Sequence, residues 1–196
     1  MLTGDAIWDI FRACGAILEG HFLLTSGRHA ARYIQCARVL QYPTYAALLG
    51  EELARFFREE EVEVVLGPAL GAVIVAHEVA RALGARAMFA EREAGKLTLR
   101  RGFTLEAGET VVVVEDVLTT GGSAGELLAL AEAAGARVVG IGALVDRSGG
   151  HLTFARPHRA LVTLDVPAYA AESCPLCREG LPLVKPGSRE KGTGPA

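Results

Sequence analysis

From Val62 onward the chain alternates short β-type apolar runs with helical repeats, and that alternation restricts it to a largely parallel sheet joined by helices. VEVVL leads through the tight GPALG turn into the helical AVIVAHEVARAL, and ARAMFA forms a second strand. ETVVVVED is a third strand followed by the helix SAGELLALAEAAGA, RVVGIGALVD is a fourth, and RALVTLDV is a last, weaker one. Four consecutive valines suit a strand covered on both faces, as parallel strands are. The fold class expected is α/β, with a central, mostly parallel sheet flanked by helices and right-handed crossovers.

Upstream, GDAIWDIFRACGAILE has apolar residues at helical spacing and predicts an amphipathic helix over 4–19. Residues 21–40 break that spacing around a Ser-Gly turn and predict an irregular or β-rich flap. Pro43 predicts the first turn of a helix running to about Glu60. The organisation expected is one structural domain in three segments: an N-terminal helix and hood over 1–40, a core over 41–170, and a partly disordered tail over 171–196. The stretch from Pro186 onward has the composition of a disordered end.

Charge narrows the function classes. Lys and Arg total 20 against 23 Asp and Glu, a formal net charge of -3 with pI near 6.0, so a surface devoted to nucleic acid is not expected. No apolar run reaches the length that spans a bilayer, and the N-terminus lacks the order of a signal peptide. A cytoplasmic protein with small-molecule partners is expected, with neither nucleic acid nor membrane among them.

In an open parallel sheet, ligands bind beyond the carboxyl ends of the strands. The richest such end is VVVVEDVLTTGGSAGE. Glu115 and Asp116 close the strand, and Thr119, Thr120, Gly121, Gly122 and Ser123 make a small-residue loop into a helix. Glycines admit close approach of backbone N–H groups to an anion, hydroxyls add donors, and the helix N-terminus adds positive potential. That combination suits a phosphate monoester, and two adjacent acids suit the 2′- and 3′-hydroxyls of a ribose 5-phosphate. Neither GxxxxGK[ST] nor GxGxxG occurs, which excludes the two commoner phosphate loops.

EDVLTTGGS resembles the phosphoribosyl diphosphate signature of type I phosphoribosyltransferases, and the orotate-specific members look most similar. HFLLTSGRHAARYI is similar to their hood segment, GPALG to their diphosphate-contacting loop, REAGK to the start of their mobile catalytic loop, and DRSGG to their orotate-contacting segment. The CPLCREGLPLVKPGSR ending looks like one branch of these enzymes. The resemblance implies a type I phosphoribosyltransferase fold with a small N-terminal hood. It also implies transfer of ribose 5-phosphate from 5-phospho-alpha-D-ribose 1-diphosphate to orotate, in pyrimidine biosynthesis. Catalytic roles then fall to Lys96, Glu115 and Asp116. Donor binding falls to Gly67, Pro68, Ala69, Leu70 and Gly71, to Arg92 and Lys96, and to Glu115, Asp116, Val117, Leu118, Thr119, Thr120, Gly121, Gly122 and Ser123. Orotate binding falls to Tyr33, Thr119 and Arg147. A guanidinium offers a carboxylate-bearing base two parallel donors, whereas a lysine offers a point charge. Magnesium (Mg2+) is the implied cofactor, held mainly by substrate oxygens with no direct protein ligand. A homodimer is implied as well, each catalytic loop serving the neighbouring site.

The chain departs from the better-known members in the loop, where Glu93 and Thr98 replace a common lysine and histidine, with Arg100 and Arg101 as candidate compensation. In the hood, Thr25 stands where lysine is common, and Ala30-Ala31 replaces a common Ser-Pro. Cys174 and Cys177 form a lone CxxC, short of the four ligands a closed zinc site needs; His151 and His158 are the histidines expected to complete one if it exists. Trp8, His77 and Lys185 are expected to be structural or solvated. Two other readings remain: a purine phosphoribosyltransferase, which has no use for a carboxylate-binding Arg147, and a phosphoribosyl-diphosphate-sensing regulator of nucleic acid, which needs a basic face.

Overall fold

The computed structural model describes residues 1–24 and 26–186. Thr25 and the stretch beyond Pro186, on which two of the expectations above fall, lie outside the described residues. In chain order the elements are α1 (Gly4–Ala13), β1 (Ile17–Leu23), β2 (His29–Ile34), α2 (Ala37–Leu40), α3 (Pro43–Ala54) and β3 (Val64–Pro68). There follow α4 (Val73–Leu83), β4 (Arg86–Glu93), β5 (Lys96–Leu99), β6 (Thr110–Leu118), α5 (Gly122–Ala133) and β7 (Arg137–Asp146). The last are β8 (His158–Thr163), β9 (Ala168–Tyr169), α6 (Pro175–Arg178) and β10 (Leu183–Val184). The described residues divide between two compact units, one of residues 1–16 and 35–165, the other of residues 17–24, 26–34 and 166–186.

The large unit holds a six-stranded sheet ordered β5-β4-β3-β6-β7-β8. Its strands are parallel except β5, which pairs antiparallel with β4 at the edge. β3 is buried along its whole length and β6 nearly so, which is why both read as continuous apolar runs. Successive side chains point to opposite faces. Val64, Leu66, Val111, Val113, Ile141 and Ala143 form one core with Ala124, Leu127 and Ala131 of α5. On the other face β7 carries Gly140 and Gly142, where a Cβ would meet the Phe57 ring at 2.9 Å and Leu53 at 3.2 Å. These glycines let α3 and its trailing 3-10 turn, Arg55–Glu60, lie flat on the sheet. Helices thus cover both faces, as the alternation of strand and helix requires.

The first helix is shorter than its apolar spacing predicts. α1 is capped by Thr3, whose hydroxyl accepts the Ala6 N–H at 3.2 Å, and it ends at Ala13. Gly15 takes the left-handed conformation (φ 59), and the Ala16 N–H returns to the Phe11 carbonyl at 2.9 Å. That is a glycine-terminated helix end, and it releases Ile17 and Leu18 into β1. Pro43 does open α3, whose α-helical part stops at Ala54 before the 3-10 turn carries on to Glu60. Trp8 packs edge-on against buried Phe11, with centroids 5.7 Å apart.

The small unit is a four-stranded sheet ordered β10-β1-β2-β9. β1 and β2 form an antiparallel hairpin, β10 adds parallel to β1 at His21↔Leu183, and β9 adds antiparallel to β2 at His29↔Tyr169. The flap expected over 21–40 is therefore a hairpin followed by α2, and its sheet takes one edge strand, β9, from the end of the segment expected as core and the other, β10, from the expected tail. Tyr33 lies on β2, its ring 5.9 Å from that of Phe22.

Candidate active site

Sheet order decides where a ligand fits. α4 crosses from β3 to β4, and α5 crosses from β6 to β7 in the opposite direction along the sheet. Adjacent strands β3 and β6 are thus the topological switch point, where loops diverge at the carboxyl ends and leave a crevice. The two expected donor-binding segments leave the sheet at this point. Gly67 and Pro68 end β3, and Ala69, Leu70 and Gly71 turn into α4; the Ala69–Leu70 peptide is cis, and Leu70 is exposed. Glu115, Asp116, Val117 and Leu118 end β6, and Thr119, Thr120 and Gly121 turn into α5, which starts at Gly122 and Ser123.

The two loops touch. A Cβ on Gly71 would fall 2.8 Å from each carboxylate oxygen of Asp116, so glycine is the residue that lets this backbone lie against that acid. Asp116 also accepts the Val117 N–H at 2.9 Å, and its carbonyl accepts the buried Cys36 thiol at 3.7 Å. Gly121 is left-handed (φ 77), and a Cβ there would lie 2.7 Å from the Phe154 ring. Space and backbone therefore both demand glycine at the start of α5. The first turn of a helix has N–H groups with no intrahelical acceptor, and α5 begins at the same strand end that carries the acids.

Electrostatics distinguish the acids from ordinary surface carboxylates. Burial lifts Glu115 to a pKa of about 8, and the neighbouring Asp116 charge adds to the lift. Burial also raises Asp116, against the opposing pull of its backbone hydrogen bonds. Burial, with Asp116 secondary, raises Cys36 too. A buried acid pair without a fixed cation favours the neutral forms. Ligand hydroxyls and a ligand-borne cation would favour ionisation of the same oxygens. These hard oxygen donors fit magnesium carried by a diphosphate, and the one thiol beside them, Cys36, is held in its neutral form by burial.

Two further segments reach this end of the sheet. Arg147 follows the last residue of β7, its N–H donating to the Leu118 carbonyl at 2.8 Å, so it stands next to the β6 loop. The carboxylate of Asp146 accepts the N–H and hydroxyl of Ser148 at 2.7 and 2.6 Å. The charged stretch 91–103 is the β4–β5 hairpin, turning at Ala94 and Gly95 with positive φ at both, the requirement of a tight two-residue hairpin. Lys96 lies just after the turn.

The hairpin's cations differ in their engagement. Arg92 forks onto Glu126 of α5 at 3.0 and 3.3 Å, and Glu126 also accepts the Leu97 N–H at 3.1 Å. Arg101 forks onto Glu91 at 2.8 and 2.9 Å, and Arg100 lies 3.8 Å from Glu93. Lys96 has no ion pair among the described residues. Thr98 donates to the Glu91 carbonyl at 3.3 Å, a contact internal to the hairpin. Of the residues expected at the site, Tyr33 belongs to the small unit, and the others belong to this end of the large sheet. Sequence reasoning missed Gly71 as a spacer for Asp116, Cys36 under the same acid, and Glu126 as the hairpin's anchor. A pocket lined by Ala13, Cys14, Tyr42, Thr44 and Tyr45 shares no residue with this set.

The two histidines expected to complete a metal set do not join the cysteines. His151 is exposed, and His158 meets the Phe154 ring edge-on, centroids 5.3 Å apart, in the large unit. The imidazoles that gather with Cys174 and Cys177 are His21 and His29, because the hairpin and the C-terminal segment share one small sheet. His77 is exposed beside Glu78. Among the described residues no helix is long and apolar enough to cross a membrane.

Residues 38–153 match the phosphoribosyl transferase domain family. An orotate phosphoribosyltransferase of Pelotomaculum thermopropionicum is 55% identical, over 96% of this chain and 100% of its own length. One of Caldicellulosiruptor bescii is 51% identical, over 97% and 100%. The crystal structure of orotate phosphoribosyltransferase from Aeropyrum pernix superposes with a TM-score of 0.66 at 25% identity, covering 80% of this chain and 93% of that one.

Proposed function

From the premise that the chain belongs to the orotate phosphoribosyltransferase family, we propose that it transfers ribose 5-phosphate from 5-phospho-alpha-D-ribose 1-diphosphate to orotate. The observation that carries this reading is the meeting of the Gly71 loop, the Glu115–Asp116 pair and the Gly121 loop at one switch point, with Arg147 alongside. The α5 N-terminus and the hydroxyls of Thr119, Thr120 and Ser123 take the 5-phosphate. Glu115 and Asp116 take the ribose hydroxyls, and the Gly67–Gly71 backbone faces the diphosphate. Arg147, with Thr119, holds the orotate carboxylate and ring.

Breaking the bond between ribose C1 and diphosphate leaves the bonding electrons on the diphosphate, while the sugar gains cationic character and a ring nitrogen of orotate closes on C1, its N–H proton passing to the departing diphosphate. Lys96, on its hairpin, answers the charge developing on the leaving group, and the carboxylates answer the sugar. Magnesium carried on the donor's oxygens would supply further neutralisation of the diphosphate, and Glu115 and Asp116 are the hard oxygen donors that would face it. Arg92 joins Lys96 once Glu126 releases it. The enzyme works as a cytoplasmic homodimer, with the hairpin serving the neighbouring site.

The test follows orotate's near-ultraviolet absorbance with donor and magnesium present. Magnesium-dependent loss of absorbance is expected, and Lys96→Ala lowers kcat by roughly 10²–10³-fold with donor affinity changed far less. Donor binding without orotate consumption would send the assignment to another base.

A further inference from the structure

The small unit contains a second cluster, of imidazoles and thiols rather than carboxylates and phosphate-binding backbone. His21 of β1, His29 of β2, and Cys174 and Cys177 at the start and within α6 present four ligand atoms that all lie within 4.8 Å of one another. We propose that these four residues bind one structural zinc ion that fastens the C-terminal segment to the β1–β2 hairpin. The four residues come from segments far apart in sequence, so the pattern was invisible to a motif search, which met only the CxxC.

The distances are those of a tetrahedron's edges. Cys174 Sγ is 3.6 Å from His21 Nε2, and Cys177 Sγ is 3.7 Å from the same nitrogen and 3.3 Å from His29 Nδ1. The two nitrogens are 2.9 Å apart. Zinc at about 2.3 Å from sulfur and about 2.05 Å from nitrogen sets its ligands roughly 3.3–3.8 Å apart. These separations match that range or need a few tenths of an ångström, and the widest in the set needs a contraction of no more than about 1 Å.

Hydrogen bonding selects the same atoms. His21 Nδ1 lies 2.8 Å from the Leu181 carbonyl, which can only accept, so this nitrogen carries the proton. Nε2 is then left with its lone pair pointing at the cluster, the arrangement in which a backbone carbonyl orients a metal-bound imidazole. In a metal-free reading, two thiols and one imidazole would compete for that single lone pair. In the zinc reading each group directs one pair of electrons at a shared centre. His21 (3%), His29 (5%) and Cys174 (1%) are buried, and Cys177 is exposed. All four positions come from the protein, so the site is closed and structural, with no place for substrate. Two thiolates and two imidazoles favour zinc over a hard cation such as magnesium.

Flanking structure explains what the ion would hold. β10 pairs with β1 at His21 itself, and β9 pairs with β2 at His29. Each edge strand is two residues long, too short to be firm alone. A zinc centre between them would clamp the turn that joins them.

The test uses the full chain, purified without a polyhistidine tag or chelating resin and dialysed against zinc and then zinc-free buffer. Elemental analysis is expected to give about one zinc per chain. Replacement by cobalt should give the visible bands of a tetrahedral ion and a thiolate-to-cobalt charge-transfer band. Cys177→Ser, at the exposed ligand, should lose most of the zinc and weaken that band while its circular dichroism shows the large unit intact. Wild-type protein that retains no zinc, with all its thiols titrating freely, would overturn the proposal. So would a mass lower by two hydrogens from a Cys174–Cys177 disulfide, or a cobalt spectrum unchanged by Cys177→Ser.

Discussion

Glu115 stakes the electrostatic description of the site on a measurable slope. Its folded pKa, about 8, exceeds the ordinary 4.5 because it is buried beside Asp116. The folded state therefore holds this proton more tightly than the unfolded chain, and between about pH 4.5 and 8 unfolding releases it. Stability must fall as pH rises through that window and level off above it. At about 1.4 kcal/mol per pKa unit, a separation of roughly 3.5 units sets a ceiling near 5 kcal/mol. Sharing of protons with Asp116 reduces the part assignable to Glu115 to about 2–5 kcal/mol. Glu115→Gln cannot ionise and removes that part. Urea unfolding of both proteins from pH 5 to 9, with chelator and at fixed protein and salt concentrations, reads the difference directly. The variant should match wild type near pH 5 and exceed it by that amount at pH 9. Parallel curves would refute the assignment of a raised pKa to Glu115.

The same shift has a functional counterpart. If donor and magnesium bind the ionised acids, binding at pH 7 releases roughly one proton, seen by calorimetry in buffers of different ionisation enthalpy and absent in Glu115→Gln. Gly71→Ala puts a methyl 2.8 Å from both oxygens of Asp116; kcat/KM should fall by about 10²-fold or more with the unfolding midpoint little changed. Glu126→Ala removes the acceptor of both Arg92 and the Leu97 N–H, so amide exchange at Leu97 should quicken while that of β6 stays unchanged.

The sheet was legible because its strands are buried on both faces: the valines of β6 and β3 have no polar face to confuse with a helix. The place of Glu115 to Ser123, at the end of a buried strand and the start of a helix, was legible for a related reason, since the four valines before it and the small residues within it mark the change of element. Helix α1 was over-extended because Ile17 and Leu18 continue its apolar spacing, and only the left-handed turn at Gly15 separates them. The roles of Gly71 and Glu126 depend on contacts across loops and between hairpin and helix, which periodicity does not encode. His21 and His29 look like ordinary strand residues. Their proximity to Cys174 and Cys177 arises from edge strands two residues long, which no local pattern announces.

The most direct test of the account is a competition. The enzyme is given donor and magnesium with equal concentrations of orotate, adenine, hypoxanthine and xanthine, and the nucleotides formed are identified by mass spectrometry. Competing substrates are consumed in the ratio of their kcat/KM values, so the product mixture reports specificity without separate assays. The account predicts orotidine 5′-phosphate almost alone, and loss of that preference in Arg147→Ala. A purine nucleotide as the main product, or no nucleotide from any base, would contradict it.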